Sequence, residues 1–372
     1  CVDICDSYKV QDARVQVIHQ ENAGLIMARR AGVEIASAPF VTFVDGDDWI
    51  GPLHIATMLK AMREDHADLV VTGYVRDFLG KREMIPPRFA DGTYRQSRLR
   101  EEVLSRAIYN GIFFQHGLTT YVWNKLFHRT RLSTILGRIP PSIVMGEDAA
   151  ITYTYLAQCR SVTFQSECHY HYRQRPRSIV NTRVDVSTEY LRLSELFTFL
   201  LGTLQRSSRG QLLAAQLRPY FHAQILVRSG GFILQPTDDT WYSSFADLAP
   251  GMRIVIVSSG SFGQHLLSTL HGMNQFKIVG WIDDDADESR SIGLPVAHFE
   301  TIPDLEFDRI LIASIDLELG RKIQRRLTKM GVDPTGIRIV ERDPVGLDRA
   351  LENVGFDPQF FTFDPQEHRN LR

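Results

Sequence analysis

The chain has 372 residues, is 44% hydrophobic and 23% charged, and carries a formal net charge of -2. That is globular composition at a length for two or three domains, with no charge excess that would call for nucleic acid. No run approaches the roughly 18 apolar residues needed to cross a bilayer. The four cysteines, Cys1, Cys5, Cys159 and Cys168, have neither the density of a disulfide scaffold nor zinc-site spacing. The expected setting is therefore the reducing cytoplasm, at the inner membrane face if the chain associates peripherally.

The chain opens on Cys1 to Tyr8 (CVDICDSY). This stretch reads as the tail of an amphipathic helix, as though the chain were a fragment. Val15 to Ile18 is β-branched and strand-like, and Asn22 to Ala36 has helical apolar spacing. Pro39 to Val44 reads as a buried strand ending in the acidic turn Asp45-Gly46-Asp47-Asp48. A helix from Ile55 to His66 and a strand from Ala67 to Tyr74 follow. Strands alternating with helices indicate an α/β layer with a mainly parallel sheet. In such sheets ligands collect beyond the carboxyl ends of strands, where the acidic turn falls.

Leu99 to Tyr109 and Ala149 to Gln158 read as helices. Val186 to Phe232 is helical, with a stripe of Leu191, Leu193, Leu196, Phe197, Leu200 and Leu201 and a break at Ser207 to Gly210. Gln235 to Asp239 looks like a linker. The strands Arg253 to Val257, Lys277 to Ile282 and Arg309 to Ala313 then alternate with the helices Gln264 to Leu270 and Leu319 to Met330. The stretch after Asp343 is polar without a clear period. The expected divisions are 1–185, an α/β domain; 186–250, a helical spacer; 251–345, a small parallel-sheet domain; and 346–372, a tail.

Several constellations could carry chemistry. Asp45 and Asp47 flank one glycine, so both carboxylates can face one point and a ligand can approach closely. Mg²⁺ or Mn²⁺ is held by such oxygens together with substrate phosphates. A solvated Asp-Gly turn explains the same pattern. Glu147-Asp148 opens an apolar helix, as a cap or dipole partner, or as a general base. Trp123-Asn124-Lys125 reads as a core Trp beside a solvated Lys. Tyr170 to Arg175 reads as a half-buried strand with a basic face, or as a site where Arg173 or Arg175 reaches a diphosphate.

The stretch from Val15 to Ile50 resembles the family 2 glycosyltransferases with the GT-A fold. The resemblance lies in Asn22-x-Gly24, in Ala28-Arg29 followed by Ala31-Gly32, and in Asp45-Gly46-Asp47-Asp48-Trp49. Trp123-Asn124-Lys125-Leu126-Phe127, Gly146-Glu147-Asp148 and Tyr170-His171-Tyr172-Arg173 follow in the family's order. It covers roughly residues 1 to 180. The resemblance implies a mixed-sheet GT-A-like domain and inverting transfer from a nucleoside-diphosphate sugar, usually of uridine diphosphate. The acceptor hydroxyl would lie on a glycan or lipid-linked molecule in surface-polysaccharide assembly. By the same resemblance Asp45 and Asp47 meet the metal and nucleotide, and Asn22, Gly24, Arg29 and Asp48 line the donor pocket. Asp148, or else Glu147, is the base.

The family begins with a strand, a helix and a second strand whose acidic turn holds the base of the nucleotide. This chain starts after them, so the GT-A-like domain is expected to be incomplete and the isolated chain inactive or poorly folded. The alternative expectation is a nucleotide-binding regulatory or scaffolding protein whose transferase half is inert.

In the second half, Ser258-x-Gly260-x-x-Gly263 follows a strand and opens a helix, and Asp283 ends the next strand. That is the setting of a dinucleotide fingerprint, with Ser258 in place of the first glycine. The region resembles the small Rossmann-like domains of polysaccharide-biosynthesis enzymes. It implies a nucleotide held by Gly260, Gly263 and Asp283, or a structural module with a vacant crevice. The spacer arginines Arg192, Arg206, Arg209, Arg218 and Arg228 raise peripheral membrane association, with a packed helical pair as the alternative.

Overall fold

The computed structural model describes residues 2–78, 81–112, 115–173, 186–234, 241–291, 293–341, 343–357 and 362–363. The expected linker from Gln235 to Asp239, and Arg175, lie outside the described residues.

The first helix, α1 (Val2–Gln11), buries no side chain. Val15 to Ile18 joins no strand pair among the described residues. β-Branched residues favour an extended backbone, but a strand also requires a neighbouring ladder. Gly24, at φ 85°, caps α2 (Leu25–Ile35), which buries Ile26, Arg29 and Val33 along one face. β1 is only Phe40–Val41 and is half-buried, with Val44 beyond it exposed, so the expected buried strand is short. Among the described residues it is bonded on one side only, to β6.

There follow β2 (Trp49–Ile50), α3 (His54–Glu64), β3 (Leu69–Phe78), β4 (Lys81–Ile85), β5 (Gly92–Arg95) and α4 (Gln96–Arg98). Next come β6 (Lys125–His128), α5 (Arg129–Leu136), α6 (Glu147–Leu156) and β7 (Ser161–Arg173). The sheet order is β1-β6-β3-β7-β2, with β4 on β3 and β5 on β7. Among the described residues only β3 and β7 run parallel in this sheet. Every other pair in this sheet is antiparallel. The sheet is thus mixed, not mainly parallel.

Leu99 to Tyr109 is not one regular helix. It winds as a π turn over Leu99–Val103 and a 3₁₀ turn over Leu104–Arg106. Gln216 explains the departure. Its amide donates to the Leu104 carbonyl at 2.6 Å and accepts from the backbone N–H groups of Ile108 and Tyr109. A side chain from a distant segment thereby satisfies backbone groups that a regular helix would pair internally.

The spacer consists of α7 (Val186–Leu204), α8 (Ser208–Ala214) and α9 (Leu217–Arg228). Leu193, Leu196, Phe197, Leu200 and Leu204 of α7 are buried, whereas Leu191 is exposed. Three of the spacer arginines are drawn into ion pairs. Arg192 and Arg228 both pair with Glu189, and Arg218 pairs with Asp348. Among the described residues no helix is long and apolar enough to cross a membrane.

After the hairpin of β8 (Phe232–Leu234) and β9 (Trp241–Ser243) comes a second sheet. Its elements are β10 (Arg253–Val257), α10 (Ser261–Met273), β11 (Lys277–Ile282), α11 (Ala286–Ser291), β12 (Arg309–Ile312), α12 (Leu317–Lys329) and β13 (Ile337–Ile339). Its order is β11-β10-β12-β13, all parallel. The stretch beyond Asp343 is not featureless. α13 (Pro344–Asn353) buries Leu347, Ala350 and Leu351, and β14 (Phe356–Asp357) pairs with β15 (Thr362–Phe363). One apolar core runs from the first domain through the spacer to α10 and α13.

Candidate functional site

The acidic turn is built from both sides. The Asp48 N–H donates to the Asp45 carbonyl at 3.0 Å, closing a β-turn over Asp45 to Asp48. The Tyr170 hydroxyl accepts from the Asp45 N–H at 3.1 Å and donates to the Asp48 carboxylate at 2.7 Å. The Arg173 N–H donates to the other Asp48 oxygen at 2.9 Å. The Asp48 carboxylate thereby anchors the turn to β7. The Arg173 guanidinium lies over the Trp49 ring at 5.1 Å, beside this turn.

Beneath the turn is an aromatic stack. Trp123 is 1% exposed and stacks on Tyr170 at 4.1 Å and on Tyr121 at 4.5 Å. Offset-stacked rings add to the stability of burial itself and give Tyr170 one fixed position. Lys125, read from the sequence as solvated, is fully buried. Its ammonium donates to the carbonyl of Thr119 at 2.8 Å, to Asn124 Oδ1 at 2.9 Å, and to the Tyr121 carbonyl. All three donors are satisfied, which is what permits the burial. Burial lowers its pKa to about 7, against the opposing pull of Asp148. Thr152 donates to the Thr120 carbonyl at 2.7 Å, so the loop from Thr119 to Val122 is held at successive carbonyls.

That loop offers the Val122 N–H to Asp148 at 3.4 Å. Asp148 sits in the first turn of α6, behind Gly146 at φ 73°. A side chain at that glycine would also collide with Leu196 of α7. The glycine lets the chain turn sharply into α6 and present its first carboxylates to the site. Arg29, with a side chain only 5% exposed, links the two acidic groups. It contacts Asp148 at 2.5 Å, reaches toward Asp45 at 3.9 Å, and lies over Phe43 at 5.4 Å. Burial raises the Asp45 pKa to about 6, with Arg29 opposing and Asp148, Asp48 and Asp47 reinforcing the rise. Burial and the neighbouring Asp148 also raise Glu147.

The structure thus brings Arg29, Asp45 and Asp148 together, with Asp47 on the same turn and Glu147 beside Asp148. Asn22 and Gly24 are not drawn into this contact. The Asn22 side chain is exposed and accepts from the Gly24 N–H at 3.1 Å, shaping the entry to α2. Among the described residues no group of three or more His, Cys, Asp or Glu could hold a metal ion by itself. Asp45 and Asp47 nevertheless suit a hard cation that completes its shell with substrate oxygens. Arg29 stands toward Asp45 on the protein side.

In the second sheet, the Asp283 carboxylate accepts from the Ser259 N–H at 2.5 Å, from its hydroxyl at 2.9 Å, and from the Asp285 N–H at 3.1 Å. Gly263 packs so closely that a Cβ there would collide with the Ser258 carbonyl, whereas Gly260 has room for one. Ser258 itself adopts φ 96°. This is the backbone geometry a glycine ordinarily supplies at the first fingerprint position.

Sequence reasoning missed the depth of Lys125 and the meeting of Arg29 with Asp148. The aromatic spacing of Tyr121, Trp123, Tyr170 and Tyr172 was the available signal for a stack.

Residues 1–130 match the family model described as Glycosyl transferase family 2. The chain is 32% identical to EpsH of Bacillus subtilis (strain 168) over 180 residues, covering 48% of this chain and 50% of that protein. It is 26% identical to glycosyltransferase GlyG of Streptococcus pneumoniae serotype 4 over 190 residues, covering 50% of this chain and 60% of that one. The chain spans about half the length of the curated relatives it matches first. Among solved structures, S. aureus TarS 1-349 in complex with UDP-GlcNAc aligns with a TM-score of 0.45 at 18% identity, covering 59% of this chain and 60% of that one.

Proposed function

We propose that this chain, whose residues 1–130 match the Glycosyl transferase family 2 model, takes part in sugar transfer from a nucleoside-diphosphate donor to a hydroxyl acceptor with inversion. The observation that carries the reading is the Arg29 bridge. It gathers three separate family motifs, the Ala-Arg helix, the acidic turn and the Glu-Asp helix start, at one half-buried point.

In this reading the acceptor hydroxyl gives its proton to Asp148, with Glu147 the neighbouring alternative. The acceptor oxygen attacks the anomeric carbon from the face opposite the diphosphate. The new C–O bond forms as the bond to the diphosphate breaks, and the diphosphate leaves with the bonding pair. Asp47 and Asp45 would hold Mg²⁺ or Mn²⁺, which neutralises charge on the departing diphosphate when bound. Arg29 holds Asp148 in place while it stands toward Asp45. The uridine carrier and the role in surface-polysaccharide assembly rest on the family resemblance. A glycan or lipid-linked acceptor rests on the same ground.

Calorimetry with uridine diphosphate and Mn²⁺ tests the donor half. Saturable binding that disappears in Asp47→Ala is expected. Absence of binding in the unsubstituted chain, or binding indifferent to both Mn²⁺ and Asp47→Ala, would overturn it.

A further inference from the structure

At the far end of α6 from Asp148, a cavity of about 360 Å³ is lined by Gln96, Ser97, Leu99, Arg100, Leu104, Arg160, Ser208 and Arg209. α6 has ten residues, so the two ends lie roughly 15 Å apart. The cavity is therefore separate from the transfer site. Its three arginines come from three places in the chain: the π turn after α4, the residue before β7, and the first turn of α8. Among the described residues none of the three guanidinium groups has a carboxylate partner. Other arginines of the chain do. Arg98 pairs with Glu102, Arg131 with Asp68, and Arg192 and Arg228 with Glu189.

Arg100 and Arg160 are exposed and Arg209 is half-buried, so the three arginines line one cavity that an anion can reach from solvent. The chain's net charge is -2, so this concentration of positive charge is local and does not follow from overall composition. The arrangement is also held in place. The Arg160 N–H donates to the Asp68 carboxylate at 2.6 Å, and Gln216 fastens the backbone beyond the π turn. Ser97 and Ser208 add hydroxyls at the rim that make no other hydrogen bond among the described residues. Guanidinium forks with flanking hydroxyls match the oxygens of a phosphoryl group.

We propose that Arg100, Arg160 and Arg209 form a binding site for a phosphoryl group, distinct from the diphosphate end of the donor site. Its sources are a soluble phosphate ester or a phospholipid headgroup, which share this chemistry. Of the five spacer arginines, Arg209 is the one this site uses.

The test is calorimetric titration of the whole chain with inorganic pyrophosphate at low salt, in an Asp47→Ala background that removes any donor-site contribution. Saturable binding is expected, weakened at least tenfold by R100Q/R209Q and likewise by Arg160→Glu. R321Q/R325Q, which removes two exposed arginines of α12, should leave it unchanged. Melting curves of the variants should coincide with the parent. No saturable binding, or an equal loss in R321Q/R325Q, overturns the site. Flotation with phosphatidylglycerol vesicles separates the sources. Co-flotation lost in R100Q/R209Q assigns a headgroup, and pyrophosphate binding without flotation assigns a soluble ester.

Discussion

Arg29 and Asp148 stand 119 positions apart in the chain and meet at 2.5 Å, in a contact of which the arginine is almost wholly shielded from water. A charge pair this sheltered is costly to break, because the partner left behind keeps its burial and loses its compensation. Arg29→Met should therefore destabilise the chain by about 3 kcal/mol. It should also leave Asp148 and Asp45 facing each other. Arg29→Lys should recover part of the stability but less of the donor binding, since one ammonium cannot serve two carboxylates with a guanidinium's geometry. Denaturant unfolding and uridine diphosphate titration on the same samples would check both halves.

Asp45 carries a pH signature. Its pKa is raised to about 6 by burial and by the neighbouring carboxylates. A cation meets the ionised form, so Mn²⁺-dependent nucleotide binding should weaken as pH falls through about 6. The linkage for stability has the opposite sense. A carboxyl whose folded pKa exceeds its unfolded value of 3.8 destabilises the fold when ionised, and that penalty disappears as pH falls toward 4. Asp45→Asn should thus raise the melting temperature at pH 7.5, with the gain shrinking toward pH 4, and should abolish the pH dependence of Mn²⁺ binding near 6.

Trp123 supports the turn from below. It stacks on Tyr170, whose hydroxyl holds both Asp45 and Asp48. Trp123→Ala should cost about 3–5 kcal/mol through the cavity it leaves. Trp123→Phe should recover much of the stability. Thermal melts, with nucleotide affinity as the second reading, distinguish support of the turn from packing alone.

Gly146 and Gly202 make a contrasting pair of glycines. Gly146 has φ 73° and faces Leu196 too closely to admit a Cβ, while Gly202 of α7 has open space where its Cβ would stand. Gly146→Ala should destabilise by at least about 1–2 kcal/mol from the left-handed backbone alone. The clash adds to this and displaces Asp148. Gly202→Ala should stabilise by roughly 0.5–1 kcal/mol, as in an exposed helix interior. Chemical denaturation of the two variants decides it.

The local rules proved readable wherever a segment's own chemistry was enough. The strands Arg253–Val257 and Lys277–Ile282 and the helix opening at Glu147 follow from β-branched runs, apolar spacing and Gly146, all of which act within a few residues. The motif order likewise pointed to the acidic turn and to Glu147-Asp148 as parts of one site. Tertiary structure decided what each of these side chains does. Asp48 became an anchor because Tyr170 and Arg173 of β7 cross the turn. Lys125 went inside because three oxygens of a folded loop close around its ammonium. Val15 to Ile18 joined no strand pair among the described residues in spite of its composition, and Leu99 to Tyr109 lost its regular winding to Gln216. The physical reason is common to all four. Propensity and spacing act along the chain, whereas ladder partners, buried-charge compensation and ion pairs such as Arg29 with Asp148 come from residues that only folding brings together.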